Sequence, residues 1–349
     1  MSPEMLVAAL GVVALIAYAV LGGADFGGGI WDLFATGPRR AAQREAIAHA
    51  MGPVWEANHV WLIFVIVIIF SAFPRAYEQL SIALFVPFHL VLLGIILRGA
   101  AFVFRAYSPQ SVRDTQAGDA VGGVQAGARR WGAVFGIASV ITPLLLGMCL
   151  GGVSAGAGAP ADSTAAGAPA WLAPVSLLIG ALALALCAYL AAVFLANETS
   201  GPLRDDFRSR ALLAGTVVVV LSAGALPLVR SQAPHLWQGL IGGPATPVVV
   251  LGVIAALLSG WWLRERRYRL ARISSVVQIA CLLAGWAIAQ SPYIIYPGLT
   301  LADAAAPRST LLFILWSTPA GMALLLPSLW LLFRVFKGEH MSLDADREA

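Results

Sequence analysis

The sequence has 349 residues, of which 59% are hydrophobic and only 11% are charged, and its formal net charge is +4. Soluble domains carry about 25% charged residues, so this composition excludes an ordinary globular enzyme and indicates a polytopic membrane protein. The basic residues stand in short connections between apolar runs, so the positive charge gives no indication of nucleic-acid binding.

Nine apolar runs approach or exceed the length of about 20 residues that crosses a bilayer as a helix. The N-terminus has neither a basic region nor a cleavage site, so the first run is predicted to be a retained helix. We predict an all-α fold in one transmembrane domain, residues 1–337, with a cytoplasmic tail at 338–349. The predicted spans are 5–26, 54–73, 79–104, 131–151, 171–196, 211–229, 246–263, 273–290 and 310–336.

Arginine and lysine are distributed unequally between the two sides of these spans. Of the 22 basic residues, Arg98 lies inside a span, Arg75, Arg230 and Arg308 lie on one side, and the remaining 18 lie on the other. The positive-inside rule therefore predicts an external N-terminus and a cytoplasmic C-terminus.

The longer connections have recognisable compositions. Residues 108–127 are predicted to form a polar cytoplasmic loop, and the Gly- and Ala-rich residues 151–170 a flexible external loop. Residues 290–307 contain two Tyr and three Pro, which indicates a rigid, irregular external lip.

An acid, an amide and an imidazole open the second span, in the sequence Trp-Glu-Ala-Asn-His-Val-Trp at 55–61. An ionised carboxylate in the middle of a bilayer costs roughly 2.5–3.5 kcal/mol, so Glu56 is a candidate functional residue that needs partners. Asp25 lies near the cytoplasmic end of the first span, and Arg98 lies about two turns before the cytoplasmic end of the third. The topology therefore predicts that three charges meet in one leaflet.

His59 follows Glu56 by three residues, so both side chains lie on one helix face. Carboxylate and imidazole groups both exchange protons, which favours a path inward from the cytoplasm. We predict that Glu56, Asp25, His59 and Asn58 form this path and that Arg98 keeps the carboxylates ionised and ordered. The alternative for Asp25 and Arg98 is a purely structural ion pair.

Glu56 and His59 also match half of a carboxylate di-metal site, but the spans hold no second Glu-x-x-His, so no metal site is predicted. His89 is predicted to lie nearer the midplane, as a hydrogen-bonded core residue rather than a ligand. Trp55, Trp61 and His89 are the candidate interface residues.

Taken together, these motifs resemble subunit II of the cytochrome bd-type quinol oxidases, and the Trp-Glu-Ala-Asn-His-Val-Trp form is similar to the cyanide-insensitive branch. Other members carry Asp in place of Glu56, and many have a second acid at the position of Gly22. The residues that carry the resemblance are 23–27, 55–61, 72–74, 97–99, 104–105 and the lip at 292–304.

The resemblance implies two four-helix bundles plus a peripheral helix, and a partner subunit I that carries haem b and haem d. The complex would oxidise quinol and reduce dioxygen to water with protons from the cytoplasm. This chain would be a non-haem subunit of the bacterial cytoplasmic (inner) membrane that stabilises subunit I and lends a proton route, with no catalytic residue of its own. Whether it holds a quinone or an oxygen channel, and whether a small single-helix subunit joins, stays open.

The main alternative is a secondary transporter or channel whose substrate site is the cluster of Asp25, Glu56 and Arg98. Broken helices at corresponding positions in two halves would favour it, and the sequence shows no such pair. A membrane-embedded di-metal or haem enzyme that acts alone is a further alternative, but the chain lacks the ligand set.

Overall fold

The computed structural model describes residues 2–51, 55–114, 120–156 and 169–345, with side chains within 2–50, 58–104, 130–156 and 169–331. These residues are almost entirely helical. The elements are α1 (Pro3–Leu33), α2 (Arg40–Met51), α3 (Trp55–Ala72), α4 (Pro74–Ala83), α5 (Phe85–Asp114), α6 (Ala120–Ser154), α7 (Pro174–Glu198), α8 (Gly201–Gln232), α9 (Pro234–Leu240), α10 (Thr246–Arg264), α11 (Tyr268–Gln290), β1 (Tyr293–Ile295), β2 (Leu299–Thr300), α12 (Leu301–Ala304) and α13 (Arg308–Ala345).

Eight of the described helices are long and apolar enough to cross a membrane, and there are nine if the bent pair α3–α4 is one span. The bend is 118°, and it falls where Pro74 starts α4, since proline cannot continue a preceding helix but is well suited to a first turn. The third predicted span, 79–104, needs correction because residues 79–83 belong to α4, and the apolar helix starts at Phe85. Apolar residues continue across the bend, so the sequence pattern does not reveal it.

Several helices extend beyond their predicted spans. Helix α1 continues past Phe26 to Leu33, so Asp25 lies about two turns inside the helix end. Helices α5 and α6 include all but residues 115–119 of the predicted loop at 108–127. Helix α13 continues to Ala345, through most of the predicted tail. The predicted external loop at 151–170 falls mainly on residues 157–168, which lie outside the described residues.

Helix α1 is the central packing partner in the first half of the chain. It contacts α3, α6, α7 and α11, while α7 also packs against α6, α8 and α11. Helix α13 touches α1 and α3 and leaves almost all of its apolar span exposed. The main core lies around α7 and is formed by Ile30, Leu182, Leu186, Tyr189, Leu190, Val193, Val218, Leu263, Ile279 and Leu283.

A second core lies at the other end of α1, under the segment predicted as a lip. As predicted, this segment is not helical throughout: β1 and β2 pair as an antiparallel hairpin, and the four-residue helix α12 follows. The Ala306 N–H donates to the carbonyl of Ala72 at 2.8 Å, which fastens the segment to the bend between α3 and α4. The core beneath it includes Val7, Ile68, Phe73, Leu80, Ile295, Leu299 and Leu311.

Glycine allows α1 to approach α7 closely. A Cβ atom added at Gly27 would overlap the carbonyl oxygen of Cys187 and would lie 2.6 Å from the Cβ of Ala191. A backbone atom cannot rotate away as a side chain can, so this contact requires glycine. Small residues at helix contacts are a general means of close packing in membranes.

We expect Gly27→Ala to destabilise the protein by about 1–3 kcal/mol, the usual cost of overpacking, because α1 and α7 must separate. Thermal unfolding of the purified protein in detergent measures this loss. The control is Gly132→Ala in α6, where an added Cβ meets no atom within 4 Å. Equal stability of the two variants would contradict the packing argument.

Candidate functional site

A buried ion pair joins α1 to α5. The Arg98 Nη1 donates to Oδ2 of Asp25 at 2.6 Å, and Nη2 donates to the Asp25 carbonyl oxygen at 2.9 Å. Arg98 is 2% exposed and Asp25 is 5% exposed, so both charges are removed from water. Burial of this kind is tolerated only where the charges are paired and well hydrogen-bonded.

Helix α6 supplies the third partner of the guanidinium. Arg98 Nε donates to Ser139 Oγ at 3.0 Å, and that hydroxyl donates to the Phe135 carbonyl at 2.7 Å. A Cβ added at Gly29 would overlap the Ser139 side chain, so glycine at this position of α1 makes room for the contact. Nε, Nη1 and Nη2 of Arg98 therefore each donate a hydrogen bond, which leaves the side chain little freedom to rotate.

Two aromatic rings complete the surroundings of Arg98. Its Cζ atom lies 4.8 Å from the centre of the Phe26 ring and 4.9 Å from that of Phe135. The negative face of an aromatic ring attracts a cation, more strongly where water is excluded. These contacts add to the compensation for burying the guanidinium.

Four buried polar atoms near this pair have no hydrogen-bond partner among the described residues. They are Asp25 Oδ1, Asn58 Oδ1, Thr142 Oγ1 and the Tyr18 hydroxyl. Buried polar groups are nearly always hydrogen-bonded, and ordered water is the usual partner where protein supplies none. Helices α1, α3 and α6 therefore each carry at least one buried polar atom that ordered water would satisfy.

His59 lies beside this interior. Its ring centre is 6.3 Å from that of Tyr18 and 6.5 Å from that of Phe26, edge-on to both. Asn58 is 3% exposed and adjoins it in α3. The side chains of Glu56 and Trp55 lie outside those described, although both residues belong to the first turn of α3. The structure thus pairs Asp25 with Arg98 and places the His59 ring against Tyr18 and Phe26, while the Glu56 side chain lies outside the described side chains.

Two of the three candidate interface residues, Trp61 and His89, lie among the described side chains. Trp61 is half-buried in α3. The prediction that His89 is a core residue was wrong, because it is the fifth residue of α5 and is exposed. Its Nδ1 lies 2.7 Å from the Phe85 carbonyl oxygen, and its ring packs on the Phe85 ring at 4.0 Å. The hydrogen bond is local, so it needs no core position.

A second polar cluster ties α2 to the arginine-rich start of α8. Arg39 Nε donates to Asp206 at 2.8 Å, Gln43 donates to the same carboxylate at 3.0 Å, and Arg210 donates to Gln43 at 2.7 Å. Its hydrogen bonds with Asp206 raise the pKa of Arg39 above the ordinary value. Arginines that the sequence assigned to loops thus also hold two helices together.

Sequence reasoning missed Tyr18, Ser139, Phe135 and Thr142, because neutral residues on apolar helices give no pattern that distinguishes an inward from an outward face. Among the described residues, no three His, Cys, Asp or Glu side chains gather as a metal site would require.

The fold and the site define a polytopic helical membrane protein with a charged centre between α1, α5 and α6. The family model for cytochrome bd terminal oxidase subunit II matches residues 3–336. The cytochrome bd ubiquinol oxidase subunit 2 of Bacillus subtilis (strain 168) is 28% identical over 258 residues, 73% of this chain and 70% of that protein. The cytochrome bd-I ubiquinol oxidase subunit 2 of Escherichia coli (strain K12) is 24% identical over 374 aligned positions, 96% of this chain and 94% of that protein.

The bd oxidase structure from Geobacillus thermodenitrificans has the same fold, with a TM-score of 0.78 at 21% identity over 96% of this chain and 99% of that chain. The chain belongs to the cytochrome bd terminal oxidase subunit II family. It is a subunit of a quinol:oxygen oxidoreductase complex whose haems belong to the partner subunit. The predicted family is confirmed.

We expect Arg98→Met to destabilise the complex by about 3–5 kcal/mol, because it leaves the Asp25 carboxylate buried without a counter-charge. Asp25→Asn should also destabilise the complex, because it leaves the Arg98 guanidinium buried without a counter-charge. The double variant should lose less than the sum of the two single losses, since neither buried charge remains.

Thermal unfolding midpoints of the purified complexes test this prediction. The control is Arg39→Met, which breaks the exposed ion pair with Asp206 and should change stability little. Additive losses in the double variant, or equal losses for Arg39→Met and Arg98→Met, would contradict the buried-pair account.

Proposed function

We propose that this chain is the non-haem subunit of a bd-type oxidase in the bacterial cytoplasmic membrane, where it stabilises the haem-bearing subunit I and supplies it with protons from the cytoplasm. Reduction of dioxygen to water consumes protons, so the complex needs a route for them. The observation that carries the proposal is the Asp25–Arg98 pair, in which Asp25 Oδ1 has no hydrogen-bond partner among the described residues. The same holds for buried polar atoms of Tyr18, Asn58 and Thr142.

The proposed orientation has the N-terminus outside and residues 338–349 as a cytoplasmic tail. It rests on the positive-inside rule, since 18 of the 22 basic residues lie on one side. Nine spans form one domain, residues 1–337, arranged as two four-helix bundles with α13 as the peripheral helix. The exposed span of α13 supports its peripheral position.

Within this arrangement Glu56 is the proposed mouth of the path. It belongs to the first turn of α3, at the end that the orientation places toward the cytoplasm. Asp25 is the fixed acceptor deeper in the protein, because its Oδ2 is held by Arg98 and its Oδ1 faces no described partner. Asn58 and His59 lie between the two in this scheme.

Ordered water is the proposed carrier between these groups. Water that bridges the unpartnered atoms would satisfy their hydrogen bonds and give protons a connected route. Tyr18 lies about 10 Å from Asp25 along α1, on the side away from the proposed mouth. Its hydroxyl extends the path deeper into the membrane.

The proposed contact with subunit I includes Trp55, Trp61 and His89. Helices α3 and α5 leave wide apolar faces exposed in the isolated chain, and a second large subunit would cover such faces. These faces include Val60, Ile63, Ile66, Val67 and Phe70 on α3 and Phe88, Leu92, Leu93 and Ile96 on α5. Nothing in the described residues favours a bound quinone or a small additional subunit, and neither belongs to the proposal.

The transporter alternative receives no support from the helices described here. Transporters of that kind have broken helices at corresponding positions of two repeats. The break at Phe73, before Pro74 starts α4, has a counterpart at Ala233, before Pro234 starts α9. Each break follows a helix of 18 or more residues, α3 or α8, rather than dividing a span as a transporter site requires.

We expect Glu56→Gln to lower the turnover of quinol with dioxygen on the order of 10²-fold, the lower end of what a positioned proton-transfer group contributes. Glu56→Asp should retain most of the activity because it keeps the carboxylate. Oxygen uptake by the assembled, haem-loaded complex over a range of pH is the measurement.

The matched control for this experiment is Glu78→Gln on α4, an exposed glutamate away from the ion pair. Turnover that is unchanged across pH in an assembled Glu56→Gln complex would rule out the proposed mouth.

For Tyr18→Phe we expect normal assembly and several-fold slower turnover, because the change removes only the hydroxyl that holds water in the path. Because the hydroxyl has no protein partner among the described residues, its loss should change thermal stability little. Oxygen uptake and unfolding midpoints are measured on the same preparation, and unchanged uptake would exclude Tyr18 from the path.

A further inference from the structure

The turn between α10 and α11 is the most basic segment of the described chain. We call residues 264–269 the basic turn; it contains four arginines and one acid. Arg266 has a φ of 58°, in the left-handed region that residues other than glycine rarely adopt. A backbone of this kind persists only where its surroundings fix it.

Contacts from α8 fix the turn. Arg208 donates through Nε to the Leu263 carbonyl at 2.7 Å and through Nη2 to the Arg264 carbonyl at 3.1 Å. The Arg267 N–H closes the turn by donating to the Trp262 carbonyl at 2.8 Å. The positive charges are therefore presented on a preorganised backbone.

Most of the charge in the basic turn is not neutralised by protein. Arg266 lies 3.6 Å from Asp205. Among the described side chains, no carboxylate forms an ion pair with Arg264, Arg267 or Arg269. Three guanidinium groups are thus free to bind an anion from outside the chain.

An apolar surface runs directly up to these arginines. Arg267 Cζ lies 5.4 Å from the centre of the Trp262 ring, which stacks on Trp261 at 4.9 Å. Trp261 is 53% exposed, and Leu257 and Ile273 beside it are 67% and 61% exposed. Exposed indoles at the end of a span mark the boundary between hydrocarbon and headgroups.

We propose that the basic turn binds the headgroup phosphate of an anionic phospholipid, with its acyl chains along Trp261, Leu257 and Ile273. Guanidinium groups bind phosphate through paired hydrogen bonds, and clustered arginines beside a membrane helix attract anionic lipids. The adjoining apolar surface favours a lipid over a free phosphate ion, which would gain nothing from it. The site shares no residue with the proposed proton path and does not depend on it.

The test measures phospholipid that stays with the complex during purification in mild detergent, by mass spectrometry, and its rebinding from vesicles with and without phosphatidylglycerol. We expect Arg267→Gln and Arg269→Gln each to lower retained phosphatidylglycerol about fivefold, the effect expected for one arginine near the membrane surface. Trp261→Ala should also lower retention without any change of charge.

The matched control is Arg230→Gln, which removes an arginine that also lies on an indole, 6.0 Å from Trp237, at the opposite end of the spans. Retention equal to wild type in all the test variants would overturn the proposal. Inorganic phosphate that displaces the bound lipid in wild type and binds equally well to Trp261→Ala would show an anion site rather than a lipid site. Each single variant keeps most of the charge of the basic turn. If a Gln variant fails to assemble, Arg267→Lys and Arg269→Lys replace it in the test, and they should retain the lipid because they keep the charge.

Discussion

The ion pair between Asp25 and Arg98 is the contact on which the first half of the structure depends. Removing each charge from water costs several kcal/mol, so the pair is stable only if the surroundings replace the lost hydration. Ser139, the Asp25 carbonyl and the two phenylalanine rings do so from two helices, α1 and α6. Because these contacts need particular directions, they fix how α1, α5 and α6 are rotated about their axes. The glycines in α1 serve the same packing, because α6 and α7 come close to α1 only where α1 has no side chain.

The same pair leaves one carboxylate oxygen of Asp25 available for the proton transfer that we propose. Arg98 is held at Nε, Nη1 and Nη2, so it acts as a fixed charge rather than a moving part. Asp25 keeps one oxygen without a described partner, and Asn58, Thr142 and Tyr18 add further unpartnered atoms. An interior with this composition is polar but lined by rigid helices. It suits a role in which the chain positions water for a reaction that takes place at the haems of the partner subunit.

The sequence was informative about properties that depend only on position along the chain. The lengths of the apolar runs and the distribution of arginines predicted the spans and the depth of each residue in the membrane. These depths alone suggested that Asp25 and Arg98 could meet. Properties that depend on helix rotation or on bends could not be obtained this way. Ser139 and Tyr18 look like any neutral residues in apolar runs, and the 118° bend before α4 interrupts no apolar pattern. The sequence did not predict helix α2, because its polar composition is also typical of a loop. The contacts that hold it, from Gln43 to Asp206 and Arg210 of α8, depend on the fold.

Proton consumption from a defined side of the membrane tests the central claim most directly. The complex is reconstituted in vesicles with the arginine-rich face inward and a pH-sensitive dye trapped inside, supplied with excess quinol and given a pulse of oxygen. Each dioxygen that forms two waters takes four electrons from two quinols and four protons through the uptake route. The account predicts that the vesicle interior becomes alkaline at the rate of oxygen consumption. Oxygen consumption at the full rate with no pH change inside would contradict a route from the arginine-rich face.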